Sequence, residues 1–153
     1  MLIPAAAEWW VQTGKLNGAT PPEIHPFGYA SAQVHDFLAA VGSAGRGWYA
    51  TYQLIDGFLI LGLTGALVSL NRWGLARLVN PGILRSMVLL PAGYAMADLA
   101  EDGALLLILR GFPGQMELVS GLASRLTTLK FSLLGASILG SVIIGSKAWR
   151  QRL

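Results

Sequence analysis

Ionisable side chains lie inside segments of this chain that are otherwise apolar enough to cross a membrane. A charge near the centre of a bilayer costs from about 2.5 to more than 10 kcal/mol, so such residues usually pair, titrate or serve a function. Helical spacing puts the acids of the second segment within roughly 100° of one helix face. The predicted intramembrane cluster comprises acids, bases and phenols: Asp56, Asp98, Glu101, Asp102, Arg125, Lys130, Tyr52 and Tyr94.

The predicted depths of these residues agree across the three segments. A rise of about 1.5 Å per residue puts Asp56 about 12 Å from Trp48, and the acids of the second segment about 12–18 Å from Arg110. By the same measure, Arg125 and Lys130 lie about 13–20 Å from the start of the third segment. We therefore expect opposite charges from three helices to face one another in the outer half of the bilayer.

Such a cluster has a functional and a structural interpretation, and the sequence leaves both open. Crowded carboxylates at low dielectric do not all ionise, so the cluster would suit a proton relay, a cation site or acid–base chemistry on a membrane-soluble substrate. In that case Asp98 or Glu101 would be the titrating acid and Arg125 would anchor an anion. Alternatively, the same residues form salt bridges and hydrogen bonds that fix the register of the helices.

The residue types that are missing exclude several other classes of site. The chain has no cysteine, which excludes disulfides, thiolate nucleophiles, cysteine-ligated zinc and iron–sulfur clusters. Its two histidines, His25 and His35, both lie outside the predicted spans. No phosphate-binding or hydrolase motif is found. The pI of about 9.6 reflects basic residues that face anionic lipids. We therefore predict no metal, no cofactor and no nucleic-acid partner.

The composition defines the elements that must position the cluster. Of 153 residues only 12% are charged and 54% are hydrophobic, whereas about 25% charged residues are usual in soluble domains. Three segments, 48–70, 83–109 and 116–146, are long enough to span a bilayer, which takes about 20 residues. They lack the alternation of strands. We predict an all-α integral membrane protein whose residues 48–153 form a three-span helical bundle.

Residues 1–47 are predicted to form a separate interfacial segment with short helices. The apolar stretch at 1–12 is too short to span, so it is either an interfacial helix or part of a fourth helix. A Pro- and Gly-rich loop over 14–28 precedes an amphipathic helix over 31–41, with Ser31 as its N-cap. We expect Gly42 and Gly45 to end that helix and its apolar face to lie on the membrane. The Pro91-Ala92-Gly93 stretch predicts a kink in the second span.

The distribution of charge predicts the orientation. The 71–85 connection holds Arg72, Arg77 and Arg85 and no acid, and the C-terminal tail is likewise basic. By the positive-inside rule both face the cytoplasm. With three spans, the N-terminal segment is then periplasmic.

Rows of small residues predict close helix packing. Ser137, Ser141 and Gly145 recur at every fourth position, and so do Gly65 and Ser69. Either row could pack within the chain or against another subunit, and the sequence does not decide between them.

Short stretches between positions 27 and 109 carry a family resemblance: Phe27-Gly28-Tyr29, Gly42, Gly45-Arg46, Tyr49, Asp56 and Asp98-Leu99-Ala100-Glu101. In this pattern the chain resembles a family of uncharacterised small bacterial polytopic inner-membrane proteins. The resemblance implies the inner membrane of a bacterial cell and brings no assigned activity.

The first functional hypothesis is a non-catalytic accessory subunit of a larger bacterial membrane complex. Its small size, its small-residue helix faces and its lack of cofactor ligands favour this hypothesis. The alternative is a membrane-embedded enzyme or a proton- or cation-coupled carrier that uses the intramembrane cluster. The expected partners are the lipid bilayer and other membrane subunits or further copies of this chain.

Overall fold

The computed structural model describes residues 14–151, and no β-strand occurs in that range. A 3-10 turn at Pro22–Ile24 precedes helices α1 (Ser31–Ala40) and α2 (Gly42–Leu75). A 3-10 helix, Gly82–Leu89, leads into α3 (Leu90–Gly111), and α4 (Glu117–Arg150) follows. The predicted all-α class is confirmed. The predicted segment at 1–12 lies outside the described residues.

Three stretches of the described chain are long and apolar enough to cross a membrane: Gly42–Leu75, Gly82–Gly111 and Glu117–Arg150. Their outer faces carry large exposed apolar side chains such as Leu54 and Ile138. Only 11% of the most apolar window of α2 is buried within the chain, against 33% for the other two stretches. An exterior this apolar requires lipid rather than water. The chain is therefore a small multi-pass membrane protein.

The N-terminal segment forms a cap, residues 16–41, over the end of the bundle where α2 begins and α3 ends. Leu16, Val34 and Phe37 of the cap form one apolar cluster with Tyr49 of α2 and Leu105 of α3. The Phe37 and Tyr49 rings meet edge to face, with centroids 4.9 Å apart. The predicted short helix is confirmed as α1, but its apolar face packs on the bundle.

Gly28 allows the cap to approach α4 closely. Its backbone φ is +86°, a conformation that residues with a side chain rarely adopt. A Cβ at this position would lie 2.6 Å from the Ser124 Oγ. The neighbouring backbone N–H of Tyr29 donates to that same oxygen at 2.8 Å. The cap is thus hydrogen-bonded to α4 next to the point where Gly28 approaches it.

The ends of α1 differ in part from the prediction. The N-cap is Ala30 rather than Ser31, because the Gln33 side chain accepts a hydrogen bond from the Ala30 N–H at 2.7 Å. Gly42 ends α1 as expected, with a φ of +67°. However, α2 begins at Gly42 itself, before the predicted start of the first span, and Gly45 lies inside α2 instead of ending α1.

The predicted kink at residues 91–93 falls where the second span changes from one helix type to another. Pro91 lies in the first turn of α3, directly after the 3-10 helix. At that position the missing N–H of proline interrupts no helical hydrogen bond, and its fixed φ suits the helix start. The chain changes from 3-10 to α geometry there.

The two rows of small residues have different surroundings. Ser137 and Ser141 are buried inside the bundle. Their hydroxyls donate to the carbonyls of Leu133 and Ser137, at 2.7 and 2.8 Å. Gly145 is half-buried beside them, whereas Gly65 and Ser69 are exposed on α2. Ser137 and Ser141 of the first row therefore face the interior of the bundle, and the second row faces outward.

Candidate functional site

Lys130 of α4 forms two buried ion pairs with α3. Its Nζ lies 2.7 Å from Asp98 Oδ1 and 2.6 Å from Glu101 Oε2. Asp98 and Glu101 are three residues apart, so they share one face of α3 and reach the same ammonium group. All three side chains are buried. The structure thus brings together charges from the second and third spans, as the spacing predicts.

Thr127 adds a hydrogen bond to this arrangement. It lies one turn before Lys130 on the same face of α4, and its hydroxyl donates to Glu101 Oε1. Thr127 is fully buried. Both oxygens of Glu101 therefore have a partner on α4.

Asp102 has no such partner. Its exposed fraction is 5%, and within residues 14–151 neither of its carboxylate oxygens has a hydrogen-bond partner. An oxygen of Asp102 lies within 4.8 Å of oxygens of both Asp56 and Asp98. Three carboxylates from α2 and α3 thus converge beside the Lys130 ion pairs.

Arg125 lies outside the cluster, contrary to the sequence prediction. Its side chain is exposed on α4. The spacing between the two residues rotates Arg125 about 140° away from Lys130 around the helix, so only one of them can face α3. Within the described chain, the cluster therefore contains one base and a clear excess of acids.

A cavity of about 520 Å³ lies against the charged cluster. This volume falls within the range of small-molecule binding sites. Its ionisable and phenolic lining residues are buried or half-buried, whereas its exposed ones are apolar side chains of α2. We call the buried side of the cavity its inner end and the exposed side its outer part. The polar lining residues are Glu23, Tyr52, Asp56, Tyr94, Asp98 and Lys130; the apolar ones include Ile55, Phe58, Leu59, Leu63, Phe131 and Leu134.

Glu23 is a member of the site that sequence reasoning missed. It lies in the 3-10 turn of the cap, and its exposed fraction is only 4%. The Tyr49 hydroxyl donates to its Oε2 at 2.8 Å, and Gln53 Nε2 donates to its Oε1 at 3.4 Å. Burial raises the pKa of Glu23 from 4.5 to about 7, although Lys130 and the hydrogen bond from Tyr49 act in the opposite direction.

A signal for this contact exists in the sequence. Tyr49, Gln53 and Asp56 lie at helical spacing on one face of α2, so the stripe that carries Asp56 continues toward the cap. Both polar side chains nearer the cap are buried. The sequence alone does not show which cap residue meets them, because that depends on how the cap docks.

The two tyrosines of the predicted cluster and the two histidines lie in different parts of the structure. Tyr52 and Tyr94 line the cavity beside the acids. His25 is exposed and His35 is half-buried, both in the cap and away from the cluster. The chemical role of every residue in the cluster stays a prediction.

A scan of protein-family models and searches of curated proteins and of solved structures find no match to this chain. The resemblance to small bacterial inner-membrane proteins therefore stays a prediction. Any functional argument depends on the geometry of the site.

Proposed function

We propose that this small membrane protein is a proton-coupled cation carrier, and that its site is the cluster of Asp56, Asp98, Glu101, Asp102 and Lys130. The observation that carries the proposal is the buried excess of carboxylates, above all the unpartnered Asp102. A purely structural network would pair each buried charge, because an unpaired charge at low dielectric is strongly destabilising.

The charge balance supports exchange between protons and a cation. Lys130 neutralises at most one of the carboxylates that surround it. Carboxylates crowded together in a membrane interior cannot all remain ionised, so the others need protons or a bound cation. A cation that enters the cluster therefore displaces protons, and protons displace the cation. This competition is the elementary step of coupled transport.

The cavity supplies access to the cluster. Asp56 and Asp98 line its inner end, and Glu23 of the cap lines the same cavity. Polar side chains of the cap, α2 and α3 therefore face one shared cavity. Such access distinguishes a working site from a dry helix interface.

A proteoliposome assay tests the proposal. The protein is reconstituted in vesicles that enclose a pH-sensitive dye, and sodium, potassium, magnesium, tetraethylammonium or decyltrimethylammonium ions are added outside. We expect at least one of these cations to drive proton movement through the wild-type protein. Asp102→Asn should abolish the movement, whereas Asp36→Asn, on the exposed face of α1, should not. Proton movement that is absent with every cation, or equal in both variants, contradicts the proposal.

For the location we propose the inner membrane of a bacterial cell, with the cap periplasmic and the C-terminus cytoplasmic. The basic residues Arg72, Arg85 and Lys147 lie at the bundle end opposite the cap, which supports this orientation. The chain has no cysteine, so Ala39→Cys and Asn80→Cys, both at exposed positions, each introduce a single thiol. An impermeant maleimide should label the first in intact cells and the second only after lysis.

An accessory subunit is the second candidate function, and the outward face of α2 favours it. Gly62, Gly65, Ala66 and Ser69 are all exposed on this helix. Small residues in such a row allow another helix to approach closely. If α2 packs against another chain, Gly65→Leu should disrupt a complex that is isolated from native membranes. Gly135→Leu, on an exposed part of α4, is the matched control, because both glycines have open space around them.

A further inference from the structure

The cavity beside the cluster has a mouth on the lipid-facing side of α2. Ile55, Phe58 and Leu59 line the cavity and are also exposed on the outer surface. Phe58 keeps 78% of its surface exposed. Residues that line a cavity and are also exposed on the outer surface mark its opening. The cavity therefore opens between α2 and α4, toward the acyl chains of the membrane.

The two ends of the cavity require different chemistry from a ligand. The inner end holds Asp56 and Asp98, and an oxygen of Asp102 lies within 4.8 Å of an oxygen of each. An anionic group would be repelled there, and Lys130 is already held between Asp98 and Glu101. The outer part is lined by leucine, isoleucine and phenylalanine side chains. A hydrated inorganic ion would make no favourable contact with these side chains.

Aromatic rings beside the acids narrow the choice further. Tyr52, Tyr94 and Phe131 all line the cavity near the charged end. Ring faces attract organic ammonium groups, which are weakly hydrated and easily give up their water. Carboxylates and rings together form an environment suited to an alkylated ammonium ion.

We propose that the ligand of this cavity is an amphiphilic organic cation, with its ammonium group at Asp56 and Asp98 and its apolar chain between α2 and α4. The ligand reaches the site from the bilayer, where such molecules accumulate, rather than from water. This proposal rests on the proposed function, since it names the cation that exchanges with the protons of the cluster.

A binding experiment tests the substrate class. The protein is placed in phosphatidylcholine nanodiscs and titrated calorimetrically with decyltrimethylammonium, with empty nanodiscs as the background. Tetramethylammonium lacks the chain and decyl sulfate carries the opposite charge. We expect decyltrimethylammonium to bind at least about tenfold more tightly than either. Tetramethylammonium lacks the methylene groups that gain from leaving water, and the carboxylates repel decyl sulfate.

Variants at the two ends of the cavity locate the ligand. Asp56→Asn should weaken binding about tenfold, whereas Asp36→Asn should leave it unchanged. Gly62→Trp tests the mouth without touching a charge, since Gly62 lines the cavity and has open space around it. It should reduce binding, and Gly135→Trp on α4 should not. A helical circular dichroism spectrum equal to the wild type confirms that each variant folds.

Other outcomes overturn the proposal in distinguishable ways. Equal binding of tetramethylammonium shows a hydrophilic cation site, and equal binding of decyl sulfate shows nonspecific partition. Loss of decyltrimethylammonium binding in phosphatidylethanolamine nanodiscs shows that a lipid amine occupies the cavity instead of a free amphiphile. If no organic cation binds while an inorganic cation still drives proton movement in proteoliposomes, the substrate class is wrong and the proposed function stands.

Discussion

Glu23 couples the docking of the cap to pH, and the size of this effect follows from its surroundings. The groups that face Glu23 are Tyr49 and Gln53 of α2, Lys130 of α4 and Glu101 of α3. Burial raises its pKa from 4.5 to about 7. A docked cap therefore binds a proton at Glu23 more tightly than a cap in water does.

The sign of the pH dependence follows directly. The contribution of Glu23 to docking is fully present below pH 4.5 and is lost as the pH rises through about 7. At about 1.4 kcal/mol for each unit of pKa, a shift of this size corresponds to about 3 kcal/mol in the free energy of cap docking. Glu23→Gln keeps an oxygen that accepts from Tyr49 and removes the titrating proton, so the variant should lose this pH dependence.

Hydrogen exchange of α1 measures the prediction. Exchange rates for peptides from Ser31–Ala40, corrected for the intrinsic effect of pH, give the free energy of opening the cap. Between about pH 5 and about pH 8 we expect this free energy to fall by about 2–3 kcal/mol in the wild type and to stay level in Glu23→Gln. Glu117→Gln, an exposed acid at the start of α4, is the control. A flat wild-type profile, or one that persists in Glu23→Gln, would refute the reasoning.

Two further predictions concern the packing of the helices, and thermal unfolding in detergent or nanodiscs measures both. Thr127→Val removes the hydroxyl that donates to the buried carboxylate of α3 and should cost about 1–3 kcal/mol, whereas the exposed Thr128→Val should cost little. Equal effects of the two changes would contradict this. Gly74→Ala places a Cβ 2.5 Å from a methyl group of α4 and should cost about 1–3 kcal/mol. The Cβ of Gly135→Ala meets nothing within 4 Å, so this change should not destabilise the protein. A greater loss of stability in Gly135→Ala than in Gly74→Ala would contradict the prediction.

The helical spacing of charges predicted much of the site. Asp98 and Glu101 share a face of α3 because they lie three residues apart, and a helix of known rise puts Lys130 at their depth. The same local argument could not assign both bases to one face. By predicted depth alone, either Arg125 or Lys130 could meet the acids of α3. The rotation of α4 against α3 decides that Lys130 faces inward.

Contacts between distant parts of the chain were beyond prediction. Glu23 meets Tyr49 and Gln53 because the whole cap docks on the end of the bundle. That docking depends on Gly28 approaching α4 and on Phe37 packing against Tyr49, neither of which periodicity reveals. Local patterns determine which face of a helix is polar, whereas the partner of that face depends on tertiary packing.

The infrared band of protonated carboxyl groups tests the central claim most directly. The claim is that the intramembrane cluster holds more carboxylates than its one base can neutralise. In nanodiscs at neutral pH and without added cations, a Glu23→Gln background removes the contribution of the cap. We predict a protonated-carboxyl band in this protein that decreases when Asp102→Asn is added and is unchanged by Asp36→Asn. A spectrum without such a band, or a band that Asp102→Asn leaves intact, would contradict the account.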